Sequence, residues 1–152
     1  VELVVVCGDN PGRVEHVARV AAELRVPARV VGFERDMPAR MAEAHVVVGK
    51  PGGLTVSESL AAGRPMILVG TCPGQEASNE AWLLENGAAL AVRPGGVGAA
   101  AAVLRAGGAL ADLGRAARAI GAPRAADHVM DVALRLASVA SCGRPAAAAT
   151  AA

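Results

Sequence analysis

Short apolar runs alternating with helical patterns constrain this chain more than any other feature. Glu2 to Cys7 is a β-branched run closed by Gly8, and Asn10-Pro11 then supplies a helix N-cap and a proline suited to the first helical position. Val14, Val17, Ala18, Ala21 and Leu24 recur at helical spacing until Pro27, after which Ala28 to Val31 reads as a second strand. Asp36 can cap a short helix over Met37 to Glu43, and His45 to Val48 reads as a third strand with Gly49 at its carboxyl end. Thr55 to Ala62 is predicted helix, Gly63-Arg64-Pro65 its stop and Met66 to Val69 a fourth strand. A helix over Gln75 to Glu85, a short strand near Ala89 to Val92 and an Ala-rich helical tail to about Ala137 follow. Continuous apolar strands joined by helices are the pattern of a parallel sheet covered on both faces, with right-handed crossovers. The fold class is therefore α/β, a doubly wound parallel sheet whose ligands bind at the strand carboxyl ends. Residues 1–142 are expected to form the domain, with 143–152 a disordered Ala-rich tail.

Composition narrows the function classes. The 152 residues, 53% hydrophobic and 19% charged, suit a domain with a buried core, and at this size about two-thirds of the unfolded surface can be buried without staples. Cys7, Cys72 and Cys142 are odd in number and lack metal-ligand or CxxC spacing, which argues against a disulfide framework and a zinc site and for a reducing cytosol. Fifteen basic and fourteen acidic residues leave a charge of +1, with no basic stretch dense enough to neutralise a run of phosphates, so nucleic acid is not the expected partner. No apolar stretch reaches the roughly 20 residues that span a bilayer, and Val1 to Gly8 lacks the charged start of a signal peptide. The chain enters a strand at Val1 without an initiator Met, which reads as a fragment or half-molecule.

The chemistry concentrates in Gly49-Lys50-Pro51-Gly52-Gly53-Leu54-Thr55-Val56-Ser57-Glu58, which leaves a strand, turns on glycines and opens a helix. Without Cβ atoms at Gly52 and Gly53 a diphosphate can approach the backbone, and the unpaired amides of a helix start, reinforced by its dipole, face the negative charge with no need of a metal. Lys50 precedes the glycines, so the spacing fits neither GxxxxGK[ST] nor GxGxxG. Glu58 admits two readings: a capping-box carboxylate three residues after Thr55, or a carboxylate one turn beyond the phosphate that accepts both hydroxyls of a ribose.

The string GKPGGLTVSESLAAGRPMIL followed by PGQEASNEAWLLENGAA resembles the C-terminal domain of glycosyltransferase family 28, which includes the diacylglycerol glycosyltransferases and the lipid-linked glucosaminyltransferase of peptidoglycan synthesis. The CGDN turn, the VGFERDMPARMAEAHVVV stretch and the GAPRAADHV helix extend the match over roughly residues 1 to 137. The resemblance implies one half of a GT-B fold, two facing Rossmann-like domains of which this chain holds the second. It implies an inverting, bacterial-type enzyme that moves a hexose from a UDP-sugar to a diacylglycerol-type lipid, with no cofactor or metal. It also implies that the general base and lipid-acceptor site belong to a missing N-terminal domain, so that no catalytic residue is expected here. The full-length protein is then expected in the cytoplasm, peripheral at the inner face of the cell membrane.

By the same resemblance, Gly52, Gly53, Leu54 and Thr55 match the diphosphate turn and Glu58 the ribose carboxylate. Phe33 matches the position flanking the uracil, Gln75, Glu76 and Asn79 the loop that hydrogen-bonds the donor sugar, and Gly8 and Asn10 a first-strand turn facing the cleft. Asp9 stands where the family commonly has a basic residue and is left out of the site.

Plainer readings stand beside these. A lone Phe33 at a strand end is expected in the core, Glu76 is favourable near a helix start through the dipole alone, and Lys50 is a solvated lysine or a minor phosphate contact. His16, His45 and His128 are scattered, Trp82 reads as core or interface, and Ser57 and Ser59 lack a GxSxG elbow. Two rivals remain: a free-standing donor-binding subunit of a two-chain UDP-GlcNAc transferase, and a domain like UDP-GlcNAc 2-epimerase.

Overall fold

Asn10 and Asp36 open their helices through the side-chain caps that the sequence predicts. Asn10 Oδ1 accepts from the Arg13 amide at 3.0 Å, and Pro11 sits in the first turn of α1 (Pro11–Ala22). Asp36 Oδ1 accepts from the Ala39 amide at 3.0 Å at the start of α2 (Met37–Glu43). The structure, a computed structural model, describes residues 1–93 and 95–142; the expected tail, 143–152, lies outside them.

The chain forms two compact units, Val1–Arg40 and Met41–Ala152. In the first, β1 (Leu3–Val6) pairs in parallel with β2 (Ala28–Val31), Leu3 opposite Ala28 and Val6 opposite Val31, and α1 makes the crossover. Arg40 Nη2 and Nε donate to Glu34 Oε2 at 2.8 and 3.0 Å, and this guanidinium holds the Glu34 carboxyl below the usual carboxylate range.

The second unit is built on a parallel sheet in the order β3 (Val47–Gly49), β4 (Met66–Leu68), β5 (Ala89–Ala91). α3 (Gly53–Ala61) and α4 (Gln75–Glu85) make the crossovers, and α5 (Val97–Ala106), α6 (Ala109–Ile120) and α7 (Ala125–Cys142) follow. β4 is central and buried on both faces. Met66 and Leu68 pack with Val56, Leu60, Leu83 and Ala117, whereas Ile67 points the opposite way onto Ala100, Leu104 and Leu113. Met66, Ile67, Leu68 and Leu83 are at most 1% exposed, and each such side chain contributes about 1.5–3 kcal/mol of burial.

Strand and helix limits differ from expectation for physical reasons. β3 starts at Val47 rather than His45 because Val47 is opposite Met66, and the residue before Met66 is Pro65, whose nitrogen has no hydrogen to donate. α3 ends in a left-handed glycine: Gly63 (φ 67°) donates to Leu60 O at 2.9 Å and Arg64 to Ser59 O at 2.8 Å. Gly87 (φ 64°) closes α4 in the same way, so each helix delivers the chain directly into the next strand. α7 is exposed from Ala125 to Ser138, and no single helix among the described residues is long and apolar enough to cross a membrane.

The join between α3 and the end of α6 leaves no room for one further carbon. A Cβ on Gly121 would lie 2.2 Å from the Leu60 carbonyl oxygen and 2.8 Å from its carbon, both backbone atoms that cannot swing away. Gly121→Ala is expected to destabilise the chain by about 1–3 kcal/mol or more, read as a lower urea midpoint with an unchanged slope. An unchanged midpoint would show that the α3–α6 join can open at little cost.

Candidate functional site

The glycine turn connects buried β3 to α3, and its conformation is set by what the fold does not ask of it. Gly52 is the N-cap of α3, with φ −68° and ψ 142°, and makes no side-chain cap bond. None of Gly49, Gly52 and Gly53 has a positive φ. A Cβ built on any of the three meets nothing within 4 Å among the described residues. Neither backbone strain nor packing therefore requires glycine at these positions. What the missing side chains leave is an open approach to the main chain.

The first backbone bond of α3 runs from Val56 N to Gly52 O at 2.9 Å, so the amides of Gly53, Leu54 and Thr55 precede the helical ladder. Gly53 and Leu54 are exposed, Leu54 at 81%, and Thr55 is half-buried. Three amides at the start of α3 thus lack a helical partner, and the helix begins two residues earlier than the sequence pattern predicts.

The earlier start changes the reading of Glu58. With Gly52 as N-cap, Thr55 is the third helical residue and Glu58 lies beyond the first turn, so the capping box is absent. Glu58 is exposed about one turn beyond these amides. Ser57 Oγ donates to Gly53 O at 2.9 Å and Ser59 Oγ to Arg64 O at 2.9 Å, so both hydroxyls serve the helix and its stop.

The loop after β4 closes on the same turn. Lys50 Nζ lies 3.1 Å from Cys72 Sγ and 4.0 Å from Glu76 Oε2, and Glu76 Oε2 accepts from the Cys72 amide at 2.9 Å. The Cys72 contact and the Glu76 charge raise the Lys50 pKa and keep the ammonium charged, while the bond from the Cys72 amide lowers that of Glu76. Asn79 Nδ2 donates to Pro51 O at 2.8 Å. Gln75, the first residue of α4, is exposed and follows Gly74 at φ 102°. Lys50, Gln75, Glu76 and Asn79 are thus brought to one edge of the sheet together with Gly52 to Thr55. Sequence reasoning missed Cys72, whose amide and sulfur join Glu76 to Lys50; a cysteine four residues before the acid was the available signal.

In the first unit, Gly8 (φ 68°) donates to Gly32 O at 3.1 Å, and the two glycines line a shallow hollow with Asp9 and Glu15. Two carboxylates there disfavour an anion. Asn10 Oδ1 is occupied by its N-cap bond. Phe33 is 63% exposed, which corrects the core reading: β2 ends at Val31, and the ring stands on the loop beyond it. Trp82 is 43% exposed.

Because folding lowers the Glu76 pKa, the Cys72–Glu76 bond contributes stability above the ordinary glutamate range and is lost as pH falls through the lowered value. An NMR titration of the Cys72 amide is expected to show a midpoint below that of an unperturbed glutamate. A midpoint at or above the ordinary value would contradict the contact.

Comparison with known proteins follows the same residues. The glycosyltransferase family 28 C-terminal domain model matches residues 1–94. Over 92 residues the chain is 35% identical to the processive diacylglycerol beta-glucosyltransferase of Bacillus subtilis, covering 60% of this chain and 24% of that protein. It is likewise 35% identical over 92 residues to monogalactosyldiacylglycerol synthase 3 of Arabidopsis thaliana, covering 60% of this chain and 19% of the relative. A Brucella melitensis UDP-N-acetylglucosamine--N-acetylmuramyl-(pentapeptide) pyrophosphoryl-undecaprenol N-acetylglucosamine transferase is 39% identical over 134 residues, 82% of this chain and 35% of that protein. The chain therefore spans 19% to 35% of the length of these relatives. The crystal structure of Acinetobacter baumannii MurG matches 87% of this chain and 41% of its own with a TM-score of 0.72 at 24% identity, a likeness of fold.

Proposed function

Because the chain belongs to glycosyltransferase family 28, as its C-terminal domain, we propose that it is the donor-binding half of an inverting transferase that moves a hexose from a UDP-sugar to a lipid acceptor of the diacylglycerol type. The observation that carries this reading is the turn at Gly52-Gly53: glycines that neither φ nor packing explains stand beside amides of Gly53, Leu54 and Thr55 that precede the helical ladder. Two linked phosphates fit such a surface, and Glu58 one turn on is placed for a ribose. The relatives suggest the chemistry: they transfer a glucosyl, galactosyl or N-acetylglucosaminyl group to a lipid or lipid-linked acceptor.

In the proposed reaction an acceptor hydroxyl attacks the anomeric carbon in line. The new C–O bond forms on one face while the bond to the β-phosphate breaks on the other, its electron pair departing with UDP. The turn amides and the charged Lys50 stabilise the negative charge that gathers on the leaving diphosphate, which supplies the role a metal would otherwise fill. The base that takes the acceptor proton and the lipid site lie outside this chain, so the chain binds donor without turnover. The same proposal puts the whole enzyme at the cytoplasmic face of a membrane, where a lipid acceptor and UDP-sugars meet.

A second donor, UDP-N-acetylglucosamine, is favoured by one observation: the Brucella relative aligns over 82% of the chain, against 60% for the diacylglycerol enzymes. Competition of UDP-glucose, UDP-galactose and UDP-N-acetylglucosamine for one site ranks the two readings.

Calorimetric titration with UDP tests the site itself. Glu58→Ala is expected to weaken UDP binding by about 1.5–3 kcal/mol, the worth of charge-assisted hydrogen bonds, with stability changed by less than about 0.5 kcal/mol because the side chain caps nothing. Gly53→Val has open space for its side chain in the protein, so it should fold normally and lose UDP by steric exclusion. Normal UDP binding by a folded Gly53→Val variant would remove the turn from the donor site.

A further inference from the structure

The family resemblance assigns Asn79 to the loop that reads the donor sugar, yet its side-chain amide is engaged by the glycine turn. Its Nδ2 donates at 2.8 Å to the carbonyl of Pro51, a residue less than 2% exposed that leads into the glycine turn from β3. Pro51 has no N–H, so this carbonyl is its only backbone hydrogen-bonding group. In a planar trans peptide the C=O and the following N–H point in opposite directions, and the chain has no cis peptide among the described residues. Anchoring Pro51 O on α4 therefore fixes the direction of the Gly52 amide away from α4. Among the described residues no other hydrogen bond holds this peptide. Gly52 offers no side-chain cap, and glycine leaves the peptide free to rotate at small cost.

We propose that Asn79 is a positioning residue for the diphosphate turn, acting on the donor through Pro51 and Gly52 rather than by discriminating the sugar. The proposal rests on the donor-binding reading above. Glu76, three residues earlier on the same face of α4, reaches Lys50 in parallel at 4.0 Å, so α4 holds both residues that precede the glycines. The sugar-side helix and the phosphate-side turn then move as one piece.

The test is the affinity of Asn79→Ala for UDP, which has no sugar, set beside its affinity for UDP-glucose and UDP-N-acetylglucosamine, using the 152-residue chain. A positioning role predicts that all three weaken by the same factor, about two- to twelve-fold for one lost hydrogen bond. It also predicts that the Gly52 amide resonance of the unliganded variant broadens. Unchanged UDP affinity, with or without a loss confined to the UDP-sugars, would overturn the proposal and return Asn79 to the sugar or to no role. Should the alanine variant fail to melt cooperatively, Asn79→Leu keeps the bulk and lacks the donor, and the same comparison applies. A wild-type chain that does not bind UDP at all would instead overturn the donor-binding reading, a separate outcome.

Discussion

Parallel pairing of β3, β4 and β5 is the constraint from which the site follows. Parallel neighbours cannot be joined by a hairpin, so the chain must cross over after each strand, and here α3 and α4 make the return. Both helices then begin at the carboxyl edge of the sheet, where their first amides have no partner in the ladder. Because β3 and β4 are adjacent, the turn at Gly52-Gly53 and the loop at Cys72-Gly74 come to lie side by side. The contacts from Asn79 to Pro51 and from Lys50 to Cys72 are consequences of that adjacency. Burial of Met66, Ile67 and Leu68 on the two faces of β4 holds the sheet, and through it the edge.

Much of this was legible from local chemistry. Asn10-Pro11 and Asp36 named two helix starts because cap bonds span three residues, and the alternation of apolar runs with helices gave the fold class. The start of α3 was misplaced by two residues, since Gly52 and Gly53 are poor helix formers and Thr55 imitates an N-cap. That error alone produced the capping-box reading of Glu58. Only the core reading of Phe33 fails: apolarity argues for burial, and nothing in the sequence shows where β2 stops relative to the ring. Contacts separated by 22 and 28 residues, Lys50 with Cys72 and Asn79 with Pro51, were out of reach. They depend on strand order and register, which no local pattern encodes.

Charge at the edge is arranged in a way that composition could not show. The one lysine of the turn is neither free nor buried: the Cys72 sulfur and the Glu76 carboxylate face it, and it remains mostly exposed. Its charge is thereby kept near the glycines, while the carboxylate is itself held by a backbone amide. The hollow of the first unit, with Asp9 and Glu15 in its lining, has the opposite character. The proposed diphosphate surface is the start of α3 in the second unit, where three amides lack a helical partner beside a charged lysine.

The most direct measurement of that claim is the response of individual backbone amides to UDP, followed by two-dimensional NMR on the isotopically labelled chain. The amides of Gly53, Leu54 and Thr55 should shift most on saturation, while those of Gly8 and Gly32 in the first-unit hollow should move little. Binding that leaves the three α3 amides unmoved and shifts resonances elsewhere would contradict the account.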